Sequence, residues 1–204
     1  MEVVLYEPEI PPNTGNIARL CAVSGTRLHL IEPLGFRLED RYLKRAGLDY
    51  WPHVRMDVWP DYGAFLKDAA ATRPGARVVL TSAHPGGMPI QRFPFRTDDI
   101  LVFGPETRGL PRDMLEDAEY RVRIPMLRGH GRCINLSTSC GIVLYAALAQ
   151  SGALDGPASP VIEWRMAASV IGIELELKYL RFSGWSSAIT LPSFESVKLP
   201  RSAE

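Results

Sequence analysis

Short apolar runs alternate with stretches of helical period along the first 150 residues of the chain. Val3 to Tyr6, Leu28 to Ile31, Arg77 to Thr81 and Ile100 to Phe103 read as strands because they are brief and largely apolar, and Val54 to Trp59 and Tyr120 to Ile124 because polar and apolar residues alternate in them. Between them lie helical patterns. One starts at Asn13 or Thr14, both capping types, and runs to about Ser24 with Ile17, Leu20 and Cys21 on one face. Others span Leu38 to Ala46, a stretch after Asp61 to about Ala71, Pro111 to about Asp117, and Leu136 or Ser137 to about Gln150. The last is apolar nearly all round, which implies a place in the core or at a subunit interface. The alternation predicts an α/β fold, a mostly parallel sheet with helices on both faces. Ligands of such sheets sit beyond the carboxyl ends of the strands.

After Gln150 the character changes. Ser151 to Pro160 is a Gly-, Ser- and Pro-rich linker, and the end of the chain is rich in Ser and Pro. The expected division is one domain over 1–152, then a linker and partly disordered C-terminal extension over 153–204, to which the pattern assigns no role.

Composition narrows this modestly. The chain has 204 residues, 46% of them hydrophobic, and zero formal net charge, so a surface for nucleic acid would have to be a local patch. Its basic residues are mostly Arg, the better partner for phosphates and stacked bases. The three cysteines, Cys21, Cys133 and Cys140, are odd in number and form no Cys-x-x-Cys pair, so no disulfide framework is expected. No run is long enough to span a bilayer, and Met1 to Tyr6 lacks the basic start of a signal peptide; a cytoplasmic location is the expectation.

Three loops that follow predicted strands carry the candidate chemistry. The first is Pro11-Pro12-Asn13-Thr14-Gly15-Asn16, leading to Arg19. A helix start there would offer free N–H groups to a phosphate. Capping alone accounts for Asn13 or Thr14 but not for a cation so near a helix N-terminus. The second is Gly104-Pro105-Glu106-Thr107-Arg108-Gly109, whose glycines allow a flat ligand close to the backbone. Glu106 and Arg108 either pair with each other or contact the ligand. The third lies within residues 120–154, which contain no Asp or Glu but hold Arg121, Arg123, Arg128, His130 and Arg132. Asn135-Leu136-Ser137 then caps the last helix. Several signatures are missing. Gly129-His130-Gly131 lacks the third glycine of a dinucleotide fingerprint, no phosphate-loop lysine or Gly-x-Ser-x-Gly elbow occurs, and the four histidines are too scattered to predict a metal.

Taken together, Leu5 to Asn16, Ile31 to Phe36, Arg45 to Tyr50, Phe103 to Pro111 and Arg123 to Met126 resemble the SPOUT superfamily of RNA methyltransferases. The resemblance is closest to the TrmL-type tRNA (cytidine/uridine) 2′-O-methyltransferases and covers residues 1 to about 152. It implies a trefoil knot, a homodimer, S-adenosylmethionine as cofactor, and methylation of the ribose 2′-hydroxyl at the wobble nucleotide in the tRNA anticodon stem-loop. By the same resemblance Arg19 is the catalytic position, and Leu80, Gly104, Ile124 and Cys133 bind the cofactor. Asn13, Asn16, Arg108, Arg128, Arg132, Asn135, Ser137 and Tyr145 are candidates for RNA or ribose contact. The chain departs from the family in carrying Cys133 for Ser, Thr138 for Asn, and Ala146 for the Glu that commonly follows the helix tyrosine. Action on another RNA such as ribosomal RNA, or RNA binding without catalysis, are the alternatives left open.

Overall fold

The computed structural model describes residues 1–38, 50–83, 86–126 and 133–155. Among them lie seven strands: β1 Glu2–Tyr6, β2 Arg27–Ile31, β3 Met56–Trp59, β4 Val78–Thr81, β5 Met88–Pro89, β6 Ile100–Phe103 and β7 Tyr120–Arg123. The helices are α1 Pro11–Ser24, α2 Tyr62–Thr72, α3 Arg112–Asp117 and α4 Leu136–Gln150, with a 3₁₀ turn at Trp51–His53. Every strand pairing is parallel, in the order β3-β2-β1-β6-β4-β7-β5.

A parallel sheet covered on both faces needs apolar side chains at consecutive positions. All four residues of β6 are buried, as are Val3, Val4 and Leu5 of β1. Val3, Leu5, Leu28, Leu30, Val79, Leu101, Phe103 and Val122 point to one face and pack with Ile17, Ala18 and Cys21 of α1 and Cys140, Val143, Leu144 and Ala147 of α4. Val4, Ile31, Leu80, Ile100 and Val102 point to the other, against Phe65 and Ala69 of α2 and Leu115 of α3. The predicted layering holds.

Four details differ from the pattern reading. Helix α1 begins at Pro11, earlier than expected, with prolines at its first positions, where a missing N–H costs nothing. Pro111, expected as the first helical residue, is the cap before α3. Strand β3 starts at Met56, because the chain before it is drawn into the 3₁₀ turn, Val54 N–H donating to Trp51 O at 3.1 Å. The two-residue strand β5 is new. The helix expected over Leu38 to Ala46 lies, apart from Leu38, outside the described residues, as do residues 127–132 and the extension beyond Asp155.

Strand β7 is seated between β4 and β5. Ser82 N–H donates to Val122 O at 3.0 Å and Ile90 N–H to Arg123 O at 3.1 Å, so both residues bond to the end of β7. Gly87 sits there because a Cβ would lie 3.0 Å from the Val122 carbonyl carbon. A buried ion pair anchors the chain that follows: Arg77 Nε and Nη2 donate to the two Asp99 carboxylate oxygens, each at 2.8 Å. The same guanidinium lies 5.1 Å from the Phe93 ring centroid and 5.0 Å from that of Tyr120.

Candidate functional site

The neighbours β1 and β6 sit where the strand order reverses, β2 and β3 running off one way and β4, β7 and β5 the other. A crevice opens at the carboxyl ends of strands at such a point. The loops after β1 and β6 are tied across it. Glu106 accepts from Glu9 N–H at 2.9 Å, from Ile10 N–H at 3.3 Å and from Asn13 Nδ2 at 3.0 Å. In return Glu9 accepts from the Thr107 N–H at 3.0 Å and hydroxyl at 2.8 Å. The third loop joins through Asn135, whose Nδ2 donates to Asn13 Oδ1 at 2.9 Å. Asn135 Oδ1 accepts from the N–H groups of Ser137 at 2.9 Å and Thr138 at 3.3 Å, capping α4 as expected. One line of oriented amides and a carboxylate thus runs Glu106–Asn13–Asn135. It brings together three segments that are remote in sequence.

That line corrects two expectations. Asn13 and Thr14 do not cap α1; they lie inside it, buried, and the preceding Ile10 makes no side-chain cap. The start of α1 is also a poor phosphate cradle. Its two prolines have no N–H, and those of Asn13 and Thr14 already bond to Ile10 O at 3.0 and 3.3 Å. The anion at this N-terminus is the Glu106 carboxylate itself, favoured there by the helix dipole. Nor do Glu106 and Arg108 pair. Arg108 reaches instead to Glu7 and, at 3.5 Å, to Glu9, its side chain still 55% exposed. Glu7 holds φ at 46°, in the left-handed region that side chains rarely enter, which marks the end of β1 as locally strained.

Beside this network a cleft opens between the strand ends and α4. It is lined by Thr81, Ser82, Phe103, Ile124, Met126, Cys133, Ile134, Ser139 and Val143. Two expected cofactor residues, Ile124 and Cys133, meet there. Leu80 does not: its side chain points through the sheet and lines a groove of about 680 Å³ on the opposite face, with Tyr62, Val78 and Met114. Its neighbour Thr81 lines the cleft. Gly104 follows Phe103 at the rim. A Cβ there would stand 2.3 Å from Leu110 N and 2.5 Å from Gly109 C, so this glycine lets the loop close on itself. The larger groove holds none of the other expected residues, and its floor is packing from α2 and α3.

Arg19 lies in the third turn of α1, deeper than the sequence suggested, so the dipole argument for it fails. It is exposed, and its guanidinium carbon stands 5.8 Å from the centroid of the Tyr50 ring. Asn16 and Val23 share its exposed side of α1; on α4, Ile142 and Tyr145 are 37% and 42% exposed. Arg128 and Arg132 lie outside the described residues.

Comparison with known proteins decides the family. The family model described as SpoU rRNA Methylase matches residues 1–145. The chain belongs to the SpoU methylase family. A curated member, the tRNA (cytidine(34)-2′-O)-methyltransferase of Methylovorus glucosotrophus (strain SIP3-4), is 48% identical over 151 residues, covering 73% of this chain and 94% of its own. A solved structure reported as giving insight into the 2-OH methylation of C/U34 on tRNA superposes with a TM-score of 0.68 at 47% identity, over 73% of this chain and 94% of that one. The SpoU methyltransferase AviRb from Streptomyces viridochromogenes, solved in complex with the cofactor AdoMet, superposes with a TM-score of 0.65 at 26% identity, over 74% and 57%. The SpoU match ends inside α4, so the C-terminal extension stands beyond it.

Within this SpoU chain, the pattern reading found Asn13, Glu106, Asn135 and Ser137 but missed Glu9, Thr107 and Tyr50. Glu9 was legible as one more polar residue in the first loop. Tyr50 ends the Arg45 to Tyr50 block that carries the resemblance, but that block points to no role for it, and a lone tyrosine there has no periodicity to place it.

Proposed function

We propose that this chain is an S-adenosylmethionine-dependent tRNA (cytidine(34)-2′-O)-methyltransferase, acting on the ribose of the wobble nucleotide, cytidine or modified uridine, in the tRNA anticodon stem-loop. The observation that carries the reading is the Glu106–Asn13–Asn135 relay, which holds three loops against one cleft at the strand ends. The names of relatives at 47–48% identity support it. The cleft suits the cofactor chemically. Phe103, Ile124, Met126 and Val143 offer apolar walls to a flat base, and the hydroxyls of Thr81, Ser82 and Ser139 offer partners for ribose. Ile124 and Cys133, with the backbone of Leu80 and Gly104, would hold it.

S-adenosylmethionine supplies a methyl group already activated on a sulfonium. The protein's task is therefore mostly alignment and care of the 2′-oxygen, a poor nucleophile until its proton leaves. A guanidinium has five N–H donors and no acceptor, so Arg19 would serve as an electrostatic partner of the developing alkoxide and the adjacent phosphate, the 2′-hydroxyl proton passing to solvent. Asn16, Arg108 and Ser137 would contact RNA, Tyr145 would do so from the edge of the subunit interface, and Arg128 and Arg132 would take phosphates. Arg19 does not line the cleft of its own subunit. A homodimer formed through the outer faces of α1 and α4, where Val23, Ile142 and Tyr145 are exposed, would bring Arg19 of the partner subunit to it. Residues 1–152 act as the methyltransferase domain and 153–204 as an appendage to it, in a cytoplasmic enzyme.

The test is mass spectrometry of nucleosides from unmodified tRNA incubated with the protein and S-adenosylmethionine. Methylated cytidine or uridine, mapped to the wobble position, is expected. Methyl groups only in ribosomal RNA, or in no RNA, would overturn the proposal.

A further inference from the structure

We propose that Tyr50 is a positioning residue for Arg19; the inference rests on the role given to Arg19 above. Tyr50 touches α1 at two points. Its hydroxyl donates to the Gly15 carbonyl at 3.1 Å, and its ring lies 5.8 Å from the Arg19 guanidinium carbon. In an α-helix the Arg19 N–H reaches back four residues, to that same Gly15 carbonyl. One side chain therefore holds the turn that carries Arg19 and also supplies a surface for its head group.

The platform is firmly held. Tyr50 is only 7% exposed and packs in the core that includes Ile17, Ala18 and Cys21 of α1. The turn Trp51–His53 starts from it, His53 N–H donating to Tyr50 O at 2.9 Å. The Trp51 ring stands edge-on to it at 6.4 Å.

An aromatic face suits this task better than a carboxylate would. An exposed arginine has many rotamers, and a charge that must be ordered during reaction stabilises it less than one already in place. A carboxylate would order the guanidinium but neutralise it and occupy its N–H groups. A ring attracts the cation through its quadrupole and leaves the donors free for the 2′-oxygen and phosphate. Among the described residues, no carboxylate forms an ion pair with Arg19.

The experiment compares methyl transfer to tRNA by the parent, R19A, Y50L, Y50F, and forms of Y50F carrying one, two or three fluorine atoms on the ring. Fluorination keeps the shape but drains the π face. Y50L should lose about tenfold in turnover, the scale of a cation–π contact, with the KM for S-adenosylmethionine within about twofold of the parent. Y50F should stay within about threefold of the parent, and the logarithm of its rate should fall with each added fluorine. Y50L should cost nothing further in the R19A background. The fluorinated series keeps the test valid if Y50L does not fold. A rate indifferent to fluorine, with R19A still strongly impaired, overturns the role of Tyr50 and leaves the proposed function standing. If R19A itself matches the parent, the role of Arg19 falls instead.

Discussion

The link between the three loops can be tested at its middle member. Asn13 is 6% exposed and makes two side-chain bonds, to a carboxylate at 3.0 Å and to an amide at 2.9 Å. A hydrogen bond to a charged group contributes about 1.5–3 kcal/mol and a neutral one about 0.5–1.5. Asn13→Ala loses both. The stranded partners soften the loss, since Glu106 keeps the N–H groups of Glu9 and Ile10 and Asn135, at the surface, can turn to water. The net expectation is roughly 2 kcal/mol, which for a domain of this size lowers the melting temperature by about 4–8 °C. Asn13→Asp should do worse at neutral pH despite its nearly identical shape. It sets a carboxylate against Glu106, a like-charge contact of several kcal/mol at an effective dielectric near 20. The gap between the two variants should close as the pH is lowered far enough to protonate one of the acids. The assay is urea unfolding of parent and variants, read as the shift in midpoint at unchanged slope. If Asn13→Asp is as stable as the parent at neutral pH, the Glu106–Asn13–Asn135 line does not hold the loops together.

Three shorter tests bear on other parts of the molecule. N-ethylmaleimide should add once, at exposed Cys133, because burial pushes the Cys21 thiol up to about 12 and, with Cys21 beside it, raises that of Cys140 well above its usual value. The adduct should block methyl transfer in the parent and spare Cys133→Ser, and a second adduct by intact mass would refute the burial argument. Asp99→Asn should cost about 3–5 kcal/mol in thermal unfolding, as it leaves the Arg77 guanidinium without its buried partner; a loss below about 1 would show that the Phe93 and Tyr120 faces suffice. Burial raises the Glu2 carboxyl, but hydrogen bonding and attraction from His29, and then Arg73, outweigh it and hold the group below its ordinary 4.5. The stability from that ionised carboxylate is full above pH 4.5 and fades as pH falls through the lowered value. Glu2→Gln should accordingly be less stable than the parent at pH 7 and approach it below 4.5, and a constant difference across that range would refute the linkage.

The sheet was legible because its signal is strong and local. Ile100 to Phe103 is buried at every position, and four apolar residues between turn signals are too few for a helix and suit a central strand. Asp61 announced its helix and indeed accepts from Ala64 N–H at 2.7 Å. The misses have physical causes. Pro-Pro and Asn-Thr are both helix-start signals, and only packing decides between them. Val78-Val79-Leu80 is apolar throughout, so the run hid which of its side chains faces which side of the sheet. The three loops were recognisable by composition, yet their wiring was not. Arg108 finds Glu7 and Glu9 about a hundred positions away, while Glu106, two residues before it, was the tempting neighbour.

Strand β7 occupies a berth between two strands that precede it in the chain, and among the described strands β5 has no other partner. On the ribosome, Met88 and Pro89 emerge long before residues 120–123 do. Until Arg123 has cleared the exit tunnel, β4 presents a bare edge on that side. Assembly of this end of the sheet must therefore wait for the nascent chain to come back and fill a gap left open for it. A polypeptide released a few residues short of Tyr120 would be unable to finish the wall against which the cleft is built.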